Sequence, residues 1–137
     1  MRVVIDTNVF ISSFFGGHPR RIIDLWKTGR ITMCLSSAIL EEYINVLQRM
    51  GIVEGKEFDE LMLLFRNQFN CIYANRTPSF KVCVDHHDDK FIEAAVALNA
   101  EIIISGDKHL KSLKKYSGIL ILPPKECVEY LNATSDK

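Results

Sequence analysis

A chain of 137 residues, 47% hydrophobic and 25% charged, suffices for one domain with a packed core and is too apolar for a disordered segment. Seventeen basic residues balance seventeen acidic ones, which excludes a protein that grips nucleic acid by bulk charge but leaves room for an acidic pocket with local basic flanks. No apolar run approaches membrane-spanning length and the N-terminus shows no apolar signal segment, so a cytoplasmic protein without membrane contact is expected.

The opening run Val3-Val4-Ile5 is β-branched, ends on Asp6 and predicts a buried strand. Residues 9–15 are apolar and stop at Gly16-Gly17, predicting a short helix; Pro19 opens a second helix that Gly29 closes. Residues 30–35 give the second strand. Ser36 and Ser37 are both suited to cap a long helix to about Met50, whose residues Ile39, Leu40, Tyr43, Ile44, Leu47 and Met50 keep helical spacing. Residues 54–69 predict another amphipathic helix, and 71–74 a short strand at a sheet edge. A turn-rich link over 75–79 leads to Asp85-His86-His87-Asp88-Asp89, directly before a helix through Phe91, Ile92, Ala95, Val96 and Leu98.

Residues 101–105 are nearly all apolar and predict a central strand buried on both faces. Gly106-Asp107 turn into a helix over 108–116; residues 119–122 form the last strand; Pro123-Pro124 start a terminal helix ending near Asn132. Strands alternating with helices through short turns predict an α/β protein. The expected architecture is a three-layer α/β/α sandwich around a central, mainly parallel sheet of about five strands. One domain spans 1–132, and 133–137 form a frayed tail. Cys34, Cys71, Cys83 and Cys127 make no C-x-x-C pair and read as buried free thiols in a reducing compartment.

Asp6 and Asp107 each follow an apolar strand and precede a helix, which places both at the carboxyl edge of a parallel sheet, where ligands bind. Asp89 starts a helix, and a glutamate in the first two turns of the long helix faces the same edge. Four acids from distant positions can therefore meet, and a hard divalent cation relieves their repulsion. Spacing does not choose between Glu41 and Glu42, nor among Asp85, Asp88 and Asp89. Each acid also has a plainer role as a helix cap or dipole partner. Asp6 fits that role least, because an acid ending a buried strand needs a partner.

Five stretches carry a resemblance: V-I-D-T-N-V (4–9), L-S-S-A-I-L-E-E-Y (35–43), D-H-H-D-D-K-F-I-E-A-A (85–95), I-I-S-G-D-K-H-L (103–110) and I-L-P-P-K-E (121–126). In this order and context the chain resembles the PIN-domain family, in the branch of toxin components of type II (VapBC-like) toxin–antitoxin pairs. The resemblance implies that Asp6, Glu42, Asp89 and Asp107 are the acids that hold the metal and act in catalysis, with Asn8 and Ser105 supporting them. Many relatives carry a further acid where this chain has His109 and Leu110.

The implied activity is hydrolysis of phosphodiester bonds in RNA, dependent on Mg²⁺ or Mn²⁺. The implied partners are an RNA substrate, a cognate antitoxin protein and a second copy of the chain in a homodimer. Basic residues near the pocket (Arg20, Arg21, Lys90, Lys108, Lys111, Lys114 and Lys115) are candidates for RNA contact, and the Val53 to Phe69 region, with Leu61, Leu64, Phe65 and Phe69, is a candidate for either protein interface or equally for a core-packed helix pair. Two alternatives remain: a catalytically weak or inactive PIN-like module that binds RNA or protein, and an RNA-processing nuclease outside toxin–antitoxin systems. Asp85-His86-His87 also matches the signature of a phosphoesterase family, but the chain has no room for that family's second domain and lacks its early acidic motif.

Overall fold

The computed structural model describes residues 1–75, 89–107, 110 and 115–135. Its strands are β1 (Arg2–Ile5), β2 (Thr32–Ser36), β3 (Cys71–Ala74), β4 (Ile102–Ile104), β5 (Lys115–Tyr116) and β6 (Ile119–Leu122). Its helices are α1 (Thr7–Ser12), followed by a single 3-10 turn, then α2 (Gly17–Lys27), α3 (Ser37–Arg49), α4 (Lys56–Arg66), α5 (Asp89–Ala97) and α6 (Pro124–Ser135). The strands form one sheet in the order β3-β2-β1-β4-β6-β5, parallel throughout except for the β5–β6 pair.

This is the expected three-layer sandwich. Val3, Val4 and Ile5 of β1 and Ile102, Ile103 and Ile104 of β4 are all fully buried. Successive strand residues face opposite sides, so both faces of the sheet centre are covered. From β1 the chain works outward through β2 to the edge strand β3, then returns to lay β4 against the other side of β1. The reversal of strand order therefore falls between β1 and β4, and the cleft beyond their carboxyl ends is where such sheets bind ligands.

Local sequence accounts for the boundaries. Ser36 caps α3 by accepting from the Ile39 amide, and Met50 closes it. Aromatic residues from four helices knit the layer beneath the site: Phe10 stacks on Tyr43 at 4.2 Å between ring centres, Trp26 on Phe65 at 5.3 Å. The Trp26 indole N–H is shared between the carbonyls of Phe69 and Asn70, which ties α2 to the entry of β3.

One expectation needs correction. The sheet has six strands rather than about five, because Lys115 and Tyr116 form an edge strand instead of ending a helix. They pair with Leu120 and Ile119 across a two-residue turn, Ser117-Gly118, both with positive φ (50° and 85°). That turn suits a tight hairpin, and its geometry outweighs the helical spacing of the preceding residues. The remainder of that helix lies outside the described residues except for helical Leu110, as does the 85–88 run. Of the residues named in the Val53 to Phe69 region, Leu61 and Phe65 are buried in the core, and the exposed apolar residues there are Val53 and Leu63, the latter 55% exposed.

Candidate active site at the carboxyl edge of the sheet

Asp6 extends β1 by one bond, its amide donating to the Ile104 carbonyl at 3.0 Å, which sets it beside Ser105 at the end of β4. The side chain is 3% exposed. One carboxylate oxygen caps α1 through the Val9 amide at 2.8 Å, and the other accepts the Ser105 hydroxyl. Ser105, itself fully buried, also accepts from the Asp107 amide at 3.0 Å. Asp107 in turn receives the Leu110 amide at 3.2 Å. One serine thus couples the acids that leave the two central strands.

The third acid arrives on α3. Glu42 takes the Thr7 hydroxyl on one oxygen and the Lys90 ammonium, at 2.5 Å, on the other. The neighbouring Glu41 is exposed and makes neither contact. What anchors α3 here is Tyr43, fully buried, whose hydroxyl donates to the Ile5 carbonyl. Burial, reinforced by the nearby Asp6 and Glu42 carboxylates, holds that hydroxyl well above the usual tyrosine range, so Tyr43 stays a neutral donor. Asp89 is the first residue of α5, 4% exposed, adjoining Lys90.

Asn8 is exposed and shares with Asp107 a cleft of about 450 Å³ lined also by Val9, Ser12, Pro19, Gly106 and Pro124. A larger groove of about 700 Å³ runs along α3 past Ala38, Glu41, Glu42, Asn45, Gln48 and Arg49.

Hydrogen bonds therefore join Asp6 to Asp107 through Ser105, and Glu42 to the Asp6 side through Thr7. Among the described residues, however, no three His, Cys, Asp or Glu side chains stand together as a ready-made metal site. The Thr7 hydroxyl and Lys90 ammonium contact Glu42, and the Ser105 hydroxyl contacts Asp6. Thr7 and Tyr43 are site residues that the sequence reading did not single out. Thr7 immediately follows Asp6, and that adjacency to a strand-end acid was the available signal. Of the basic residues expected near RNA, Arg20 is committed elsewhere, to Glu57 at 2.7 Å and to the Ser13 carbonyl. Lys115 lies on the edge strand, and Lys108, Lys111 and Lys114 fall outside the described residues.

A family model described as PIN domain matches residues 2–109, a stretch that holds all four acids. The chain belongs to the PIN-domain family. It is similar to uncharacterized protein MJ1680 of Methanocaldococcus jannaschii, at 38% identity over 94% of this chain and 90% of the relative. Among solved structures it is similar to VapBC2 from Rickettsia felis, crystallised with a DNA fragment from its promoter. That match has a TM-score of 0.51 at 16% identity, over 88% of this chain and 97% of that one, and it speaks for the fold of this PIN domain.

Proposed function

We propose that this PIN domain is a divalent-metal-dependent ribonuclease and acts as the toxin of a toxin–antitoxin pair. The observation that carries the reading is the placement of Asp6, a buried carboxylate at the end of β1, beside the strand-order reversal and bridged by Ser105 to Asp107. PIN-domain proteins are generally nucleases, which supports the same reading.

The donor chemistry fits a hard cation. Asp6, Glu42, Asp89 and Asp107 offer carboxylates, Thr7 and Ser105 offer hydroxyls, and Mg²⁺ and Mn²⁺ prefer oxygen. In this reading Asp6 and Asp89 hold the ion, while Glu42 and Asp107 complete the set directly or through water. A bound ion supplies a more acidic water and neutralises the attacked phosphate. The chain's own work is positioning: Ser105 fixes the rotamer of Asp6, Thr7 fixes one oxygen of Glu42, and Asn8 offers an amide at the cleft rim. The expected partners are RNA, a cognate antitoxin and a second copy of the chain, in the cytoplasm. Val53 and Leu63 are exposed apolar side chains available to either protein. No helix among the described residues is long and apolar enough to cross a membrane.

The second reading, a weak or inactive module that binds RNA or protein, draws on the lack of a ready-made cluster of three ligand side chains among the described residues and on His109 and Leu110 standing where many relatives carry an acid. A pool of single-stranded RNA incubated with the purified chain in Mg²⁺, Mn²⁺ or EDTA separates the two. Cleavage in either metal that stops in EDTA supports the nuclease; RNA retained intact and bound under all three conditions supports the module.

A further inference from the structure

Lys90 is not a free surface charge. From the first turn of α5 it reaches α3, where its ammonium meets Glu42 at 2.5 Å with 17% of the lysine side chain and 28% of the glutamate exposed. The same ammonium lies 5.6 Å from the centre of the buried Phe91 ring. Holding a four-carbon stem in one place costs rotamer entropy, so the pairing needs a compensating attraction. Glu42 is also fully engaged, since Thr7 donates to its other oxygen. One oxygen of a carboxylate at the candidate site is thus occupied by a cation supplied by the chain.

We propose that Lys90 is a resident cation of the site, which competes with a divalent ion for the Glu42 carboxylate. The proposal rests on the reading of Glu42 as a ligand for that ion. An ammonium and a divalent ion cannot both sit at bonding distance from the same oxygen without strong mutual repulsion. Loading therefore has to move the ammonium off Glu42, and Lys90 sets how much ion the empty site needs before it fills. In the absence of metal the same contact keeps Glu42 from repelling the acids around it. Lys90 is in this sense a positioning residue acting through Glu42.

The test is calorimetric titration of Mn²⁺ into metal-stripped full-length chain without RNA, comparing wild type, Lys90→Met, Lys90→Arg and Glu42→Gln. Lys90→Met is expected to bind Mn²⁺ about fivefold more tightly, the scale of a partly exposed ion pair. Lys90→Arg keeps the charge and stays near wild type. In EDTA Lys90→Met melts below wild type, and Mn²⁺ closes the gap. If Lys90 only shaped the fold, its loss would not strengthen binding, so unchanged or weaker affinity in Lys90→Met overturns the proposal. Glu42→Gln separates the two levels. If it weakens Mn²⁺ binding while Lys90→Met changes nothing, Lys90 alone is misread. Should Glu42→Gln bind as wild type, the ligand role of Glu42 fails and the proposal with it. Lys90→Gln takes the place of the methionine variant if circular dichroism shows that variant unfolded.

Discussion

Ser105 donates its hydroxyl to the carboxylate of Asp6, 99 residues earlier in the chain, and so locks together the ends of the two central strands. Both residues are buried, and the serine also receives the Asp107 amide. Ser105→Ala removes the hydroxyl that both that amide and one Asp6 oxygen use. The expected loss is about 1–3 kcal/mol of folding stability, read from urea denaturation. Cleavage should fall as well, because Asp6 loses its fixed rotamer. A variant as stable as wild type would mean that the bridge is dispensable.

Tyr43 offers a way to separate packing from hydrogen bonding. Tyr43→Phe keeps the stack on Phe10 and deletes only the bond to the Ile5 carbonyl, which should cost about 1–2 kcal/mol. Tyr43→Ala also empties a buried aromatic site and should cost about 3–5 kcal/mol. Denaturation midpoints for the pair check the ordering. Equal losses would show that the hydroxyl, and not the ring, dominates.

Stability should decline in alkali. Burial pushes the Cys34 thiol up from 9.0 to about 11 and Cys127 up to about 12, and holds the Tyr43 hydroxyl well above 10.0. In each case the folded value is raised and the fold keeps the neutral form. The contribution is therefore whole below the unfolded value and is lost as pH rises through that value toward the folded one. Tm should be flat near neutrality and fall above roughly pH 9. Cys34→Ala should flatten part of that decline. A Tm rising between pH 9 and 11 would contradict the assignment.

The adjacent glutamates should behave differently. Glu42→Gln should weaken Mn²⁺ binding and suppress cleavage, because Glu42 contacts Thr7 and Lys90 beside the strand ends. Glu41→Gln should leave both unchanged, since Glu41 is exposed along the open groove. Activity lost in Glu41→Gln with its fold intact would move the site one residue along α3.

The parts legible in the sequence were those set by local chemistry. Val3-Val4-Ile5 and Ile102-Ile103-Ile104 are continuous apolar runs, and only a doubly covered strand buries such runs completely. The Ser36-Ser37 pair marked the start of α3, of which Ser36 is the cap, and the strand-end position of Asp6 pointed to the carboxyl edge. Helical spacing alone left Glu41 and Glu42 open, because both flank the apolar stripe; the family resemblance pointed to Glu42, and the contacts with Thr7 and Lys90 fall on that residue. The β5 strand was misread for a related reason: its two residues become a strand through pairing with β6, which local periodicity does not contain. Lys90 read as a candidate for RNA contact, and its pairing with Glu42 emerges only where α5 lies beside α3.

The most direct test of the central claim is cleavage of single-stranded RNA by Asp89→Asn beside wild type, with Mg²⁺ or Mn²⁺ present and after circular dichroism has shown both folded. Asp89 is buried at the start of α5, and the substitution keeps its size while removing its charge. Wild type should cleave in a metal-dependent way and the folded variant should not. Wild-type cleavage that persists in the folded variant, or folded wild type that cuts nothing in either metal, would contradict that claim.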